Sequence, residues 1–323
     1  MSRHAKLALV VALVALAALP WIGEAYALRL GTVACMYAVL AVSWNVIGGM
    51  AGYPSFATAA FFGLGAYTGG VLLSKGTPLA LAIGAAGSVA FAVAMLLGWV
   101  LLRLRGHYFA IASLAVAEVL RELTNSATDL TGGGMGLNIP LDLGSGNVAD
   151  EATFFFLAMW ALLLVAVLVV FAVERSRLGF GLACIRQNEA AADMIGVNAT
   201  LYKALAFALS GLFVAMAGTL YAGWVHYIEP PDVYDVLFSV KPIVMVLLGG
   251  LGSTVGAVIG AFVFLGIEEF VWSNWLQVHS GVLGFLIVAL LLFLPHGLIS
   301  IRHRLRRAPD AAPAGMIREA SHG

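Results

Sequence analysis

The chain has 323 residues, of which 62% are hydrophobic and only 11% charged. Water-soluble domains carry about 25% charged residues, so this composition excludes a soluble enzyme or binding module and points to an all-α polytopic membrane protein. The formal net charge is zero and favours no partner; the placement of the charges is more informative.

A helical span needs about 20 mostly apolar residues. Ten stretches are predicted as spans: Ala5–Ile22, Ala27–Ile47, Phe56–Leu73, Pro78–Leu102, Tyr108–Ser126, Ala152–Val173, Leu201–Val225, Val236–Leu248, Val255–Trp272 and Gly281–Ile301. The third is rich in glycine, and the eighth is short and contains Pro242. The basic start at Arg3 and Lys6, the apolar run and Ala25-Tyr26-Ala27 also have the form of a secretory signal peptide. The orientation of the rest is the same either way.

Basic residues accumulate on the cytoplasmic side of membrane proteins. With the N-terminus inside, 13 of the 17 Lys and Arg residues fall there; Arg29, Lys75, Arg121 and Lys241 are the exceptions. Both termini are then cytoplasmic. Residues 1–301 form the membrane domain, and 302–323 are expected to be a disordered cytoplasmic tail. Spans two to five and seven to ten enter from opposite faces, the parity of an inverted repeat.

Within the spans, Gly65 and Gly69, and Gly252, Gly256 and Gly260, have the spacing that lets helices approach closely in lipid. Gly48-Gly49 and Gly249-Gly250 stand at span ends and suit breaks or hinges. Gly52, Ser55 and Thr58 follow the first of these pairs. They are candidates to line a path, because broken helices bare backbone groups; a tight turn is the plainer reading. Glu118, Arg121 and Glu122 share one helix face. Ionisable groups in a span are costly, so Glu118 and Arg121 face either a path or a partner, or form a structural pair. After span five, Thr128–Glu151 is glycine-rich and is either a docking surface, a gate or a flexible connector. Lys241 and Glu268 are within geometric reach of each other.

The longest water-facing stretch lies at about 174–203. It holds a short helix over Glu189–Ile195, with Asn188 as its cap and Gly196 as its stop. Ala191 and Ala192 allow close approach of another surface, and Met194 and Ile195 offer apolar anchors. The helix either docks a soluble partner or lies on the membrane surface. The histidines are scattered, and Cys35 and Cys184 lack ligand neighbours, so no metal or other cofactor is expected. There is no phosphate-binding GxxxxGK[ST] loop and no nucleophile elbow. The chain is not expected to be an enzyme, and any ATP hydrolysis belongs to another chain.

The 174–203 stretch resembles the coupling loop of ABC importer permeases. Ala190 stands where the general pattern has glutamate, and Glu189 comes one place early. In this form it is similar to the branched-chain amino acid permeases of the LivM type. Asn45–Tyr67, Arg103–Leu120, Leu130–Gly136, Ser176–Lys203 and Met245–Gly256 resemble the same family, in order, from about Ala38 to Pro295. The resemblance implies a type II ABC importer-like fold in the bacterial inner membrane. It also implies a permease subunit that forms half of a translocation path for branched-chain or related amino acids. The implied partners are a second related permease subunit in a heterodimer, two cytoplasmic ABC ATPase subunits and an extracytoplasmic solute-binding protein. No nucleic-acid partner is expected. Glu189, Ala191, Ala192, Met194, Ile195 and Gly196 would couple to the ATPase. The family has an acidic residue where Lys241 stands, and a cationic mouth suits an acidic or differently substituted ligand. Urea or short amides are alternative substrates, and a secondary transporter coupled to an ion through Glu118 or Glu268 is the alternative mechanism.

Overall fold

The computed structural model describes residues 16, 19–22, 25–104, 106–140, 148–274 and 284. The span expected over Ala5–Ile22 lies outside these residues except for the turn Leu19–Ile22 and residue 16, and the span over Gly281–Ile301 except for residue 284. The basic start of the signal-peptide motif and the tail after Arg302 are also outside them, whereas Ala25-Tyr26-Ala27 opens a helix.

The principal helices are α1 (Ala25–Trp44), α2 (Thr58–Ser74), α3 (Leu79–Leu101), α4 (His107–Ser126) and α5 (Val148–Glu174), followed by α6 (Arg177–Gln187), α7 (Glu189–Met194), α8 (Ala199–Val225), α9 (Leu237–Gly249) and α10 (Thr254–Asn274). All except α6 and α7 coincide with predicted spans. Five of them, α1, α3, α5, α8 and α10, are long and apolar enough to cross a membrane. The other three fall short for different reasons. α2 has 17 residues, α9 has 13, and α4 has 20 but carries Glu118, Arg121 and Glu122. The described residues therefore contain fewer membrane-crossing helices than the ten expected.

α8 stands at the centre, packed against α2 and α3, while α1 packs against α5, α10, α8 and α9. The sequence of α3 explains its seat. Ala82, Ala86, Ala90, Ala94 and Gly98 recur every fourth residue and are buried. Side chains four apart share a helix face, so a stripe of small residues lets the α3 and α8 backbones approach. The other face exposes Leu81, Leu96, Trp99 and Val100, which suits lipid. Gly65 and Gly69 abut α8 at Ala215 and Thr219.

The closest approach joins α9 to α10. A Cβ on Gly249 would lie 1.8 Å from the Gly256 carbonyl oxygen, and one on Gly260 would lie 1.9 Å from that of Met245. No side chain fits there, so these glycines set the helix spacing. Two-residue strands, β1 (Leu137–Asn138) and β2 (Tyr227–Ile228), pair antiparallel. They are a small addition to an otherwise helical fold. The glycine-rich segment ahead of β1 folds into helical turns at Thr128–Thr131 and Gly133–Met135.

Between α1 and α2 the chain leaves α geometry. A π-helical turn, Asn45–Met50, extends α1, and 51–57 is irregular. Backbone groups enclosed in protein need partners, and side chains supply them. Trp44 Nε1 donates to the Ser55 carbonyl at 2.7 Å. Ser113 Oγ on α4 accepts from Phe56 N at 2.8 Å. Ser239 Oγ on α9 donates to the Phe56 carbonyl at 2.6 Å and accepts from Ala59 N at 2.9 Å. Irregular backbone at membrane depth is tolerated when it is satisfied in this way.

Candidate functional site

The stretch from Arg177 to Asn198 folds as two short helices. Ser176 Oγ caps α6 by accepting from Leu178 N and Gly179 N. Leu178, Leu182 and Ile185 recur at helical spacing, and the last two are buried. Asn188 Oδ1 caps α7 by accepting from Ala191 N at 3.2 Å. Gly196 takes φ +85°, a conformation that glycine adopts without steric cost. Its N–H donates to the Asp193 carbonyl at 3.0 Å, and Val197 N donates to Ala192 O, also at 3.0 Å. Asp193 Oδ1 reaches forward to Ala199 N at 3.3 Å, tying the turn to the start of α8.

α7 has two distinct faces. Ala191, Met194, Ile195 and Gly196 are exposed, Met194 by 89%. Ala192 is buried, and Glu189 points inward to Lys203 on α8. Lys203 is only 1% exposed although it carries a charge. Its three N–H groups match three acceptors: Glu189 Oε1 at 2.7 Å, the Leu102 carbonyl at 3.0 Å and the Tyr53 hydroxyl at 3.1 Å. Tyr53 in turn donates to Glu189 Oε2 at 2.6 Å, and its ring lies 4.7 Å from the ammonium. This clasp joins α7, α8, the end of α3 and the irregular segment after α1.

A second set of bonds holds α6. Arg186 Nη1 donates to the Gly49 carbonyl at 2.6 Å. Asn45 Oδ1 accepts from Gly252 N at 2.9 Å. Glu174 Oε1 accepts from Thr254 N at 2.9 Å and from its hydroxyl. Arg186 thus ties α6 to the turn that extends α1, while Asn45 and Glu174 tie that turn and the end of α5 to the start of α10.

Gly52 is exposed and lies against Arg186, its Cβ position 3.1 Å from Arg186 Cγ. Among the path candidates it is the one that joins the α6–α7 end. Ser55 and Thr58 are buried, and the Ser55 hydroxyl accepts from Ala57 N at 3.2 Å. Arg121 Nη2 pairs with Glu118 Oε2 at 2.7 Å on an exposed face of α4, with side-chain exposures of 37% and 62%. Lys241 Nζ pairs with Glu268 Oε1 at 2.7 Å, linking α9 to α10.

Sequence reasoning passed over Lys203 and Tyr53. Lys203 was grouped with the cytoplasm-facing basic residues, and the structure encloses it instead. The signal available was a lysine early in a helix with apolar neighbours and an acidic residue one short helix upstream. Nothing local marks Tyr53, whose partner Lys203 is 150 positions away.

The family model described as the branched-chain amino acid transport system / permease component matches residues 26–294. The chain belongs to that family. The permease is similar to the high-affinity branched-chain amino acid transport system permease protein LivM of Salmonella typhimurium LT2. The two are 29% identical over 323 residues, which cover 91% of this chain and 75% of the relative. LivM of Escherichia coli K12 is 28% identical, with 96% and 78% covered. LivH of Escherichia coli K12 is 26% identical, with 83% and 92% covered. The permease thus resembles both members of a pair of permease proteins that carry one system's name. No solved structure matches.

Proposed function

We propose that this permease forms half of the translocation path of an ATP-driven importer for branched-chain or related amino acids, and that α7 is where a cytoplasmic ATPase pushes. The observation that carries this reading is the two-faced α7. Its outer face offers small residues and the apolar Met194 and Ile195, while its inner face is clasped to α8 through Glu189 and Lys203. A force on the outer face therefore reaches a membrane-length helix through a buried ion pair. The relatives' names support the substrate class, and the LivM and LivH likeness supports a heterodimer of related permeases. Two ATPases and an extracytoplasmic binding protein complete the assembly. On this reading the bundle has about ten spans in two inverted halves, with both termini cytoplasmic.

The exposed Glu118–Arg121 face of α4 suits the second permease or the path between the two, because lipid disfavours charges at that depth. Glu118→Gln is expected to change uptake or complex yield. Unchanged values for both would leave the pair a purely structural role. Ion coupling through Glu118 is disfavoured, since that carboxylate already pairs with Arg121 on an exposed face.

The test is a tagged pull-down from mild-detergent membranes, assayed for ATP hydrolysis. Recovery of a second permease with ATPase subunits is expected. A chain that emerges alone and moves solute in liposomes without ATP would sink the proposal.

A further inference from the structure

At the end of the bundle opposite α6 and α7, helices α1, α8, α9 and α10 line an open cavity of about 430 Å³. Four charged residues reach its wall: Arg29, Lys241, Glu268 and Glu269. Two cations and two carboxylates cancel, so the cavity has no net preference for an anion. This removes the reason to expect an acidic ligand from Lys241 alone. Leu30, Val33, Leu265 and Trp224 supply apolar wall.

The Lys241–Glu268 pair lies beside the middle of α1. Lys241 stands 5.2 Å from the centre of the Tyr37 ring, and Tyr37 is about 18 Å along α1 from its start at the helical rise of 1.5 Å per residue. Lys241 and Glu268 side chains are only 18% and 19% exposed. Glu268 Oε1 takes the lysine, while Oε2 is buried and has no hydrogen-bond partner among the described residues. A buried carboxylate oxygen without a donor is unfavourable. The last torsion of a glutamate side chain is broad and roughly two-fold, so either oxygen can turn to a new donor. The carboxylate therefore retains room for a second cation.

We propose that this cavity is a membrane-embedded subsite for a zwitterion with an aliphatic side chain. The ligand carboxylate meets Lys241 and Arg29, its ammonium meets Glu268, and its side chain lies against Leu30, Val33 and Leu265. The internal Lys241–Glu268 pair is exchanged for contacts with the ligand, and Glu269, which accepts from the Tyr26 hydroxyl, balances Arg29. That balance matters because an unpaired buried charge is far costlier than a paired one. This proposal deepens the importer reading and rests on it for the path's direction.

The test uses the full chain with its co-purifying subunits in nanodiscs, without ATP and without binding protein. Radiolabelled L-leucine is the probe. The competitors are 4-methylpentanoate, which lacks the ammonium, and 3-methylbutylamine, which lacks the carboxylate. Saturable leucine binding is expected, with each competitor weaker than leucine by roughly tenfold or more. Glu268→Gln should weaken leucine by a similar factor while sparing competition by 4-methylpentanoate between wild type and variant. Lys241→Met should do the reverse, sparing the amine. Val33→Trp fills the cavity without touching a charge and should abolish binding, with size-exclusion profiles checking that each variant folds. Absence of leucine binding in the wild type, or wild-type binding in either Glu268→Gln or Val33→Trp, overturns the subsite. If uptake stays ATP-driven in that case, the importer reading survives the subsite's failure. If leucine binds as expected but uptake ignores ATP, the importer reading fails and the subsite stands.

Discussion

Lys203 is held by a carboxylate, a phenol and a backbone carbonyl, and each of its protons has a separate acceptor. Removing one member of a buried ion pair leaves the other uncompensated, which costs about 3–5 kcal/mol in typical cases. Lys203→Met is therefore expected to lower the melting temperature of the detergent-solubilised chain. The double variant Glu189→Gln/Lys203→Met should recover part of the loss. A melt that Lys203→Met leaves unmoved would show that the clasp contributes no stability. Ala191 on the opposite face has a different role. Ala191→Arg adds bulk and charge where the ATPase is proposed to dock, and Gly196→Asp does so at the positive-φ turn. Both are expected to abolish transport while the chain still inserts; wild-type uptake in either variant would remove α7 from the coupling reading. The exposed residues of α7 could be named from sequence because caps and small residues are local signals. The clasp was hidden because its members are scattered from Tyr53 to Lys203, and only the fold brings them together.

Among the elements, the helices between Ala25 and Asn274 were legible to within a few residues wherever an apolar run was long. Their bounds follow from glycine, proline and polar residues at the ends. α6 was not legible as a helix, because its three apolar anchors are diluted by Arg177, Gly179, Gly181 and Arg186. It forms because Ser176 caps it and because Arg186 is anchored on Gly49. α2 and α9 match their expected bounds, and both border irregular segments that keep them short. The contact between α9 and α10 leaves no space for a side chain at Gly260. Gly260→Leu is expected to push the two helices apart and break the Lys241–Glu268 pair, with a steep fall in the yield of monodisperse protein. A normal yield together with intact leucine binding would show that the helices can separate without consequence.

Across the whole molecule, α8 links the two ends. Lys203 lies near its start, Trp224 borders the cavity near its end, and its 27 residues span about 40 Å. A rigid tilt of α8 would carry movement from the clasp to the cavity, which gives the proposed push a physical route. Met194 provides a readout of assembly. In a Cys184→Ser background, Met194→Cys is expected to react with maleimide in the isolated chain and to be protected when ATPase subunits co-purify. Equal labelling in both preparations would place the ATPase elsewhere. The Ser239 hydroxyl bonds to Phe56 and Ala59 have a consequence for biosynthesis. Ser239 is made 180 residues after Ala59, a delay of about 9–36 s at typical synthesis rates of 5–20 residues per second. During that interval the first helices are already in the membrane, but the segment between them lacks its final donor and acceptor. The nascent chain must therefore borrow partners from water, lipid headgroups or the insertion machinery, and the native junction closes only when α9 arrives.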